Sequence, residues 1–386
     1  MSTKGRDFSL LIKPAGADCN LRCSYCFYLK KSALYPETPV HRISDPVLER
    51  VISSYMRTKQ DLYAFGWQGG EPTLMGLGFF QKVVRLQQQY GNPGAAVSNG
   101  LQTNGTLLTD EMADFFTRYH FLLGVSLDGP ENIHDRFRMD AGEEGSYKKV
   151  MRGIRRLRRR QTEFNILSLV SKANVNSGRE VYDFLKSEGF FFHQYIPCVE
   201  RDEAGNPLPW SISGEEWGRF LLDVFSRWYP GDTVSVSLRH FDSVLNFLVY
   251  GRHNVCFMSG SCNQYFLVEH SGDVYPCDFF AQPDLKLGNV LNDSWQNLLE
   301  SSVYRKFGAQ KSRWNPACGG CEFLPYCGGD CLKHRPGEGF AGVSSLCEGW
   351  KMFYRETLPV FKELAKRFTC EVYPKILPPV EKCYCG

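Results

Sequence analysis

From residue 44 to residue 196 the apolar positions switch repeatedly between a helical period and short continuous runs. Val47, Leu48, Val51, Ile52 and Tyr55 mark one face of a helix that Ser44 can cap and Pro46 can start. Leu62 to Trp67 reads as a strand, Leu77 to Tyr90 as a helix, and Ala95 to Gln102 as a strand. Thr109-Asp110-Glu111 opens another helix, and Phe121 to Leu127 is the next strand. Ser146 to Arg160 follows as a helix with Tyr147, Val150, Met151, Ile154 and Leu157 inward. Phe164 to Ser171, a helix near Arg179 to Ser187, and Phe190 to Ile196 complete the series. Strands alternating with helices in this way predict parallel βα units. In barrels of such units, chemistry gathers at the C-terminal ends of the strands.

The pattern then changes. Arg201 to Pro209 is polar, with Gly and two prolines, and reads as a loop. Ser213-Gly214-Glu215-Glu216 is a capping box for a helix through Tyr229. Phe241 to Tyr250 is a helix stopped by Gly251. Tyr265 to Glu269, a turn at Ser271-Gly272-Asp273, and Val274 to Asp278 form a β-hairpin with a cysteine after its second strand. The expected organisation is an α/β domain over 1–240, a cysteine-rich domain over 241–368, and a tail over 369–386.

Composition narrows the class. A chain of 386 residues with 43% hydrophobic and 14% aromatic content is a packed globular protein with room for two or three modules. No run approaches the ~18 apolar residues of a membrane span, so no membrane partner is expected. Met1 to Asp7 leads into only a short apolar stretch, Phe8 to Ile12, which does not resemble a secretory signal. A net charge of +3 implies no nucleic-acid partner. Arg152, Arg155, Arg156, Arg158, Arg159 and Arg160 form a basic run, read as a solvated helix face; the alternative is a docking surface for an acidic partner.

Fifteen cysteines change the picture more. Cys19, Cys23 and Cys26 are spaced C-x3-C-x2-C, so three thiolates can face one inorganic cluster from a single loop. Three is one short of the four ligands a cubane needs, which leaves an iron open to a substrate or cofactor. Zinc knuckles usually pair C-x2-C units with two further Cys or His, and disulfide scaffolds are usually shorter and secreted. Cys256, Cys262, Cys277, Cys318, Cys321, Cys327, Cys331 and Cys347 are eight more, enough for two four-cysteine sites. Tetrahedral sulfur suits zinc as well as iron. Cys198 reads as a core residue and Cys370 as a surface or packing residue, while Cys383 and Cys385 fit no expected site.

Polar motifs close the predicted strands. Gln68-Gly69-Gly70-Glu71-Pro72-Thr73 follows the first, and paired glycines there let a ligand approach the backbone closely. Thr103-Asn104-Gly105-Thr106 follows the second, and Ser126 and Asp128 close the third. Arg136 and Arg138 lie in the next loop and can pair a carboxylate. Taken singly, each of these also reads as an ordinary turn-capping residue.

Together these residues carry a resemblance. C-x3-C-x-aromatic-C, with Tyr25 as the aromatic, is similar to the signature of the radical S-adenosylmethionine (SAM) enzymes, and Gly69-Gly70-Glu71-Pro72 resembles the family's GGEP motif, whose backbone receives the SAM amino group. The resemblance implies a partial, six-unit (β/α)6 barrel. It makes Gly69, Gly70, Glu71, Asn104, Ser126, Asp128 and Arg138 candidate SAM contacts. The C-x2-C-x5-C-x3-C run from Cys318 to Cys331 resembles the SPASM domain of peptide-modifying members. By that resemblance Cys256, Cys262, Cys277 and Cys331 hold one auxiliary cluster, and Cys318, Cys321, Cys327 and Cys347 the other. With the Cys19, Cys23 and Cys26 cluster this makes three [4Fe–4S] clusters plus SAM.

Leu11-Ile12-Lys13-Pro14, Cys26-Phe27-Tyr28, Leu101 to Thr106 and Tyr275-Pro276-Cys277-Asp278-Phe279 look like one subgroup, the anaerobic sulfatase-maturating enzymes. These oxidise a Cys or Ser of a sulfatase nascent chain to Cα-formylglycine. The resemblance implies Asp278 as general base and Tyr28 and Gln68 as residues lining the peptide site. It also implies an external one-electron reductant of the flavodoxin or ferredoxin type. Oxygen-sensitive clusters imply a cytoplasmic protein. The enzymatic alternative is a SPASM enzyme that crosslinks ribosomal peptides; the non-enzymatic one is an iron–sulfur electron carrier, which needs neither an open-site triplet nor a Gly-Gly-Glu-Pro turn.

Overall fold

A computed structural model describes residues 7–369; Cys370, Cys383 and Cys385 lie outside them. The chain opens with strand β1 (Ser9–Ile12), followed by the cysteine loop. Then α1 (Asp45–Met56), β2 (Leu62–Trp67), α2 (Gly76–Tyr90), β3 (Ala96–Thr103), α3 (Asp110–Arg118), β4 (Leu122–Ser126), α4 (Tyr147–Arg159), β5 (Phe164–Val170), α5 (Gly178–Ser187) and β6 (Phe192–Pro197) alternate as the periodicity predicts. After them come α6 (Gly214–Trp228), β7 (Ser237–Leu238), α7 (Arg239–Tyr250), β8 (Tyr265–Val268), β9 (Asp273–Tyr275), β10 (Gly288–Asn289) and α8 (Cys347–Arg367).

All ten strands join one sheet in the order β10-β9-β8-β1-β2-β3-β4-β5-β6-β7. From β8 across to β7 every pairing is parallel. The six-strand α/β array is therefore β1 to β6, and its first member lies before the cysteine loop, in the short apolar stretch where no strand was expected. β1 also pairs with β8, Ile12 opposite Val268, so the hairpin of the cysteine-rich domain extends the same sheet.

Local chemistry explains most boundaries. Thr109 caps α3, its hydroxyl accepting from the Met112 amide. The Ser213 capping box on α6 is formed in both directions. Gly251 ends α7 at φ +69°. Ser44 occupies the N-cap position of α1 but makes no side-chain cap, leaving Pro46 in the first turn as the start signal. Phe65, Trp67, Phe80, Phe116 and Phe121 fill the space between the sheet and helices α1 to α3. A second core of Trp217, Trp228, Phe241, Phe353 and Phe361 joins α6, α7 and α8. The basic helix α4 turns most of its arginines outward; Arg159 and Arg160 meet Asp110 and Asp114 on α3.

Candidate active site at the strand ends

The cysteine loop leaves β1 and crosses the mouth formed by the C-terminal strand ends. It is seated on the Gly-Gly-Glu-Pro turn by backbone bonds from Gly70 to Gly16 O (2.8 Å) and from Glu71 to Asp18 O (2.7 Å). A Cβ on Gly70 would lie 1.9 Å from Asp18 O, and Gly69 has φ +125°. The close approach that these glycines permit is thus, first of all, that of the chain's own loop. Farther on, Arg22 and Ser24 donate to the carbonyls of Met139 and Phe137.

Tyr25 is buried beneath the loop. Its hydroxyl donates to Asp128 Oδ2 and accepts from Arg138 Nη1 at 2.9 Å. Asp128 Oδ1 accepts the Leu169 amide at 3.0 Å. Asp128 and Arg138, both expected to face a ligand, therefore clamp the aromatic residue of the cysteine motif. Desolvation by the protein packed round the mouth pushes the Cys19 thiol up to about 12 and that of Cys26 up to about 11. Such sulfurs become thiolates readily only when a metal joins them.

Glu71 is fully buried and spends its carboxylate inside the protein. Oε1 accepts from the Thr73 amide (2.9 Å), Thr73 Oγ1 (2.6 Å) and Thr103 Oγ1 (2.8 Å); Oε2 accepts from the Asn104 amide (2.7 Å). This carboxylate locks the end of β2 to the end of β3. Asn104 Nδ2 then reaches Asn20 Oδ1 at 2.9 Å and Cys19 Sγ at 3.6 Å, which ties the β3 end to the loop. Ser126 is half-buried at the end of β4.

Tyr28, Gln68 and Asp278 come together from three parts of the chain. Asp278 Oδ2 accepts from the Tyr28 hydroxyl and from Gln68 Nε2 at 3.3 Å. Gln68 Nε2 also reaches the Tyr28 oxygen at 3.1 Å. Two further residues, which the sequence reading assigned no role, complete the cluster. Lys13 Nζ lies 2.7 Å from Asp278 Oδ1 and 3.0 Å from Glu269 Oε1. The β1–β8 register makes this contact: Ile12 faces Val268, and the next residues are Lys13 and Glu269. Burial works against the Lys13 charge, but Asp278 and Glu269 hold its pKa above the ordinary lysine value.

The eight distal thiols fall into two groups. Cys318, Cys321, Cys327 and Cys347 line one cavity of about 240 Å³. Cys331 is acted on by the charges of Cys277 and Cys256, and Cys262 by that of Cys256. Tyr265 donates to Cys277 Sγ at 3.3 Å and accepts the Asp278 amide at 3.3 Å, tying the Asp278 backbone to a thiol. Among the described residues no three thiols, imidazoles or carboxylates converge closely enough for a single metal ion. Four thiols round a roomy cavity suit a cluster. Cys198 is buried against Leu21, Cys23 and Tyr25.

The Radical SAM superfamily model matches residues 14–185, and SPASM, an iron–sulfur cluster-binding domain, matches 256–322. A serine-type anaerobic sulfatase-maturating enzyme of Bacteroides thetaiotaomicron is 34% identical over 385 residues, covering 95% of this chain and 93% of its own. The chain belongs to the anaerobic sulfatase-maturating enzymes. A cysteine-type sulfatase-maturating enzyme of Clostridium novyi is 32% identical, covering 94% and 98%. The solved structure of native anSMEcpe with bound AdoMet and Cp18Cys peptide superposes with a TM-score of 0.87 at 32% identity, covering 93% of this chain and 99% of that one.

This sulfatase-maturating enzyme is therefore a radical SAM enzyme with a SPASM domain. No helix among its described residues is long and apolar enough to cross a membrane. Neither Lys13 nor Glu269 was given a role from the sequence: Lys13 stood within the Leu11-Ile12-Lys13-Pro14 motif with no partner named, and Glu269 was a single charge beside the apolar run Phe266–Val268.

Proposed function

We propose that the protein converts a Cys or Ser of a sulfatase peptide to Cα-formylglycine, with Asp278 as the general base. The observation that carries this reading is the Asp278 carboxylate, buried at the mouth among Tyr28, Gln68 and Lys13 and one residue from Cys277. Cys19, Cys23 and Cys26 would hold a cluster with SAM bound to it, and the pair would supply the radical chemistry that removes one hydrogen atom from the target Cβ. Asp278 then accepts the proton of the substrate thiol or hydroxyl. Lys13 holds that carboxylate in place and balances its charge, and Tyr28 and Gln68 fix its other oxygen. Cys256, Cys262, Cys277 and Cys331, with Cys318, Cys321, Cys327 and Cys347, would hold two auxiliary clusters, which would supply the acceptor for the remaining electron. Loss of hydrogen atom, proton and electron gives the aldehyde from Ser, and from Cys a thioaldehyde that water hydrolyses.

Gly69 and Gly70 would offer backbone to the SAM amino group, and Asn104 and Ser126 would line the rest of its site. Asp128, Arg138 and Glu71 serve that site by bracing the loop and turn. The substrate is a sulfatase chain or peptide, the reductant is a one-electron carrier of the flavodoxin or ferredoxin type, and the reaction takes place in the cytoplasm without nucleic acid or membrane.

The test is anaerobic turnover with dithionite, SAM and two peptides, one bearing Cys-x-Pro-x-Arg and one its Ser counterpart. The expected result is a hydrazine-reactive aldehyde with one 5′-deoxyadenosine per product. Deoxyadenosine with a crosslinked peptide and no aldehyde would replace the proposal with peptide crosslinking.

A further inference from the structure

Between the two groups of distal thiols lie two buried cations that the reaction above does not use. Lys311 is 0% exposed and Arg335 5%. Lys311 Nζ donates to the carbonyls of Phe257 (2.9 Å), Gly328 (2.6 Å) and Asp330 (2.6 Å). Each of these residues adjoins a cysteine: Phe257 follows Cys256, Gly328 follows Cys327, and Asp330 precedes Cys331. Arg335 donates to the carbonyls of Gly329 (2.7 Å), Lys311 (3.1 Å), Gly328 (3.1 Å) and Asp330 (3.3 Å).

The backbone is bent to make this arrangement. Gly328, Gly329 and Asp330 have φ of +55°, +70° and +62°, three left-handed residues in a row. A Cβ on Gly329 would lie 2.4 Å from Arg335 Nη2. The segment linking Cys327 of one group to Cys331 of the other thus wraps its carbonyls round both cations.

Neither cation makes an ion pair among the described residues. Asp330 gives one carboxylate oxygen, Oδ2, to His334 Nδ1 (2.9 Å) and Ser344 Oγ (2.5 Å); its Oδ1 is buried without a hydrogen-bond partner, and its charge favours the Lys311 cation without pairing with it. Two buried cations without an ion-pair partner are costly in an apolar interior, and the carbonyl dipoles and the Asp330 charge offset that cost only in part. A [4Fe–4S] core held by four thiolates is a dianion in its oxidised state, four thiolates against a doubly positive core. The electrostatic neighbours lean to one group: both cations act on Cys262, and Lys311 is coupled also to Cys256 and Cys331, against Cys327 alone in the other group.

We propose that Lys311 and Arg335 form a fixed cationic wedge that raises the reduction potential of the cluster on Cys256, Cys262, Cys277 and Cys331. They make that cluster the readier acceptor of the electron released at the substrate. Adding an electron to a dianion is easier beside fixed positive charge. The single electron that leaves the substrate radical reduces this cluster, and from there it passes to the oxidised form of the one-electron carrier. The inference rests on the reading that these four thiols hold a cluster.

The test is an EPR-monitored redox titration of full-length reconstituted protein. A Cys19→Ala, Cys23→Ala, Cys26→Ala background removes the first cluster's signal. Iron and sulfide content of this background comes first: absence of auxiliary clusters would fail the underlying reading rather than the wedge. With clusters present, Lys311→Gln, which keeps a donor without the charge, shifts one auxiliary signal to lower potential, and Arg335→Gln shifts the same signal the same way. Lys311→Arg leaves the potential near wild type. If Lys311→Gln does not load while Lys311→Arg does, the charge is still what the site requires. Unchanged potentials in both Gln variants, or failure of Lys311→Arg to load, would overturn the wedge.

Discussion

The Lys13 ammonium and the Asp278 carboxylate lie 2.7 Å apart, 1% and 6% exposed at the side chain. Removing one partner of such a pair leaves an uncompensated buried charge. Lys13→Met is expected to lower stability by about 3–5 kcal/mol, read by denaturant unfolding. Among molecules that stay folded, 5′-deoxyadenosine formation continues while aldehyde yield falls by about 10²-fold or more, the scale of a lost general base. Equal loss of both products would show that Lys13 does not act through Asp278.

Tyr25 carries the hydroxyl between Asp128 and Arg138. Tyr25→Phe leaves both charged groups a partner short, at a cost of about 1–3 kcal/mol. The loop loosens, so iron bound at Cys19, Cys23 and Cys26 falls while the iron of the distal thiols is kept. Iron and sulfide analysis of the variant, with and without the three loop cysteines, measures this; unchanged loading would refute it.

Gly70 has no room for a side chain, because Asp18 O would lie 1.9 Å from its Cβ. Gly70→Ala must push the cysteine loop off the turn, with a penalty of at least about 1–3 kcal/mol for the overpacking. SAM binding, followed by equilibrium dialysis, is expected to drop at least tenfold. Wild-type affinity in this variant would mean that the loop and turn move as one body.

His193 is buried, its ring nitrogens meeting Phe190 O at 3.0 Å and Tyr195 Oη at 3.1 Å. Burial depresses its pKa to about 4, below the ordinary value of 6.5. The unfolded chain therefore binds this proton first as pH falls, and the stability His193 contributes above pH 6.5 is lost progressively between about 6.5 and 4. The shift corresponds to roughly 3 kcal/mol. Urea unfolding of wild type and His193→Gln across that range should show a steeper fall for wild type; parallel curves would exclude the ring as the cause.

The βα alternation was legible in the sequence because period and turn residues change together at each boundary. β1 was not: four apolar-rich residues carry no period of their own, and their partner β8 is more than 250 residues away. The cysteine spacing drew attention to the eleven thiols, while their division into sets came from the resemblance; Tyr28, Gln68 and Asp278, singled out by that resemblance, meet in the fold. Lys13, Glu269, Lys311 and Arg335 stayed hidden because their meaning lies in what they face. The pair Asp128 and Arg138 was found as polar loop residues, but their inward turn toward Tyr25 is a tertiary fact. Gly69 and Gly70 were read as places where a ligand approaches the backbone; what approaches them in the fold is the chain itself, Gly16 and Lys13 at Gly69 and Asp18 at Gly70.

The parallel pairing of β1 with β8 has a practical consequence. A barrel cut away from its cysteine-rich partner would end in β1 with a bare row of amides and carbonyls, an invitation to intermolecular strand addition. The same cut would strand Lys13 without either carboxylate. Exchanging this second module for that of another enzyme would therefore require a donor strand of matching register, with an acid immediately past its end.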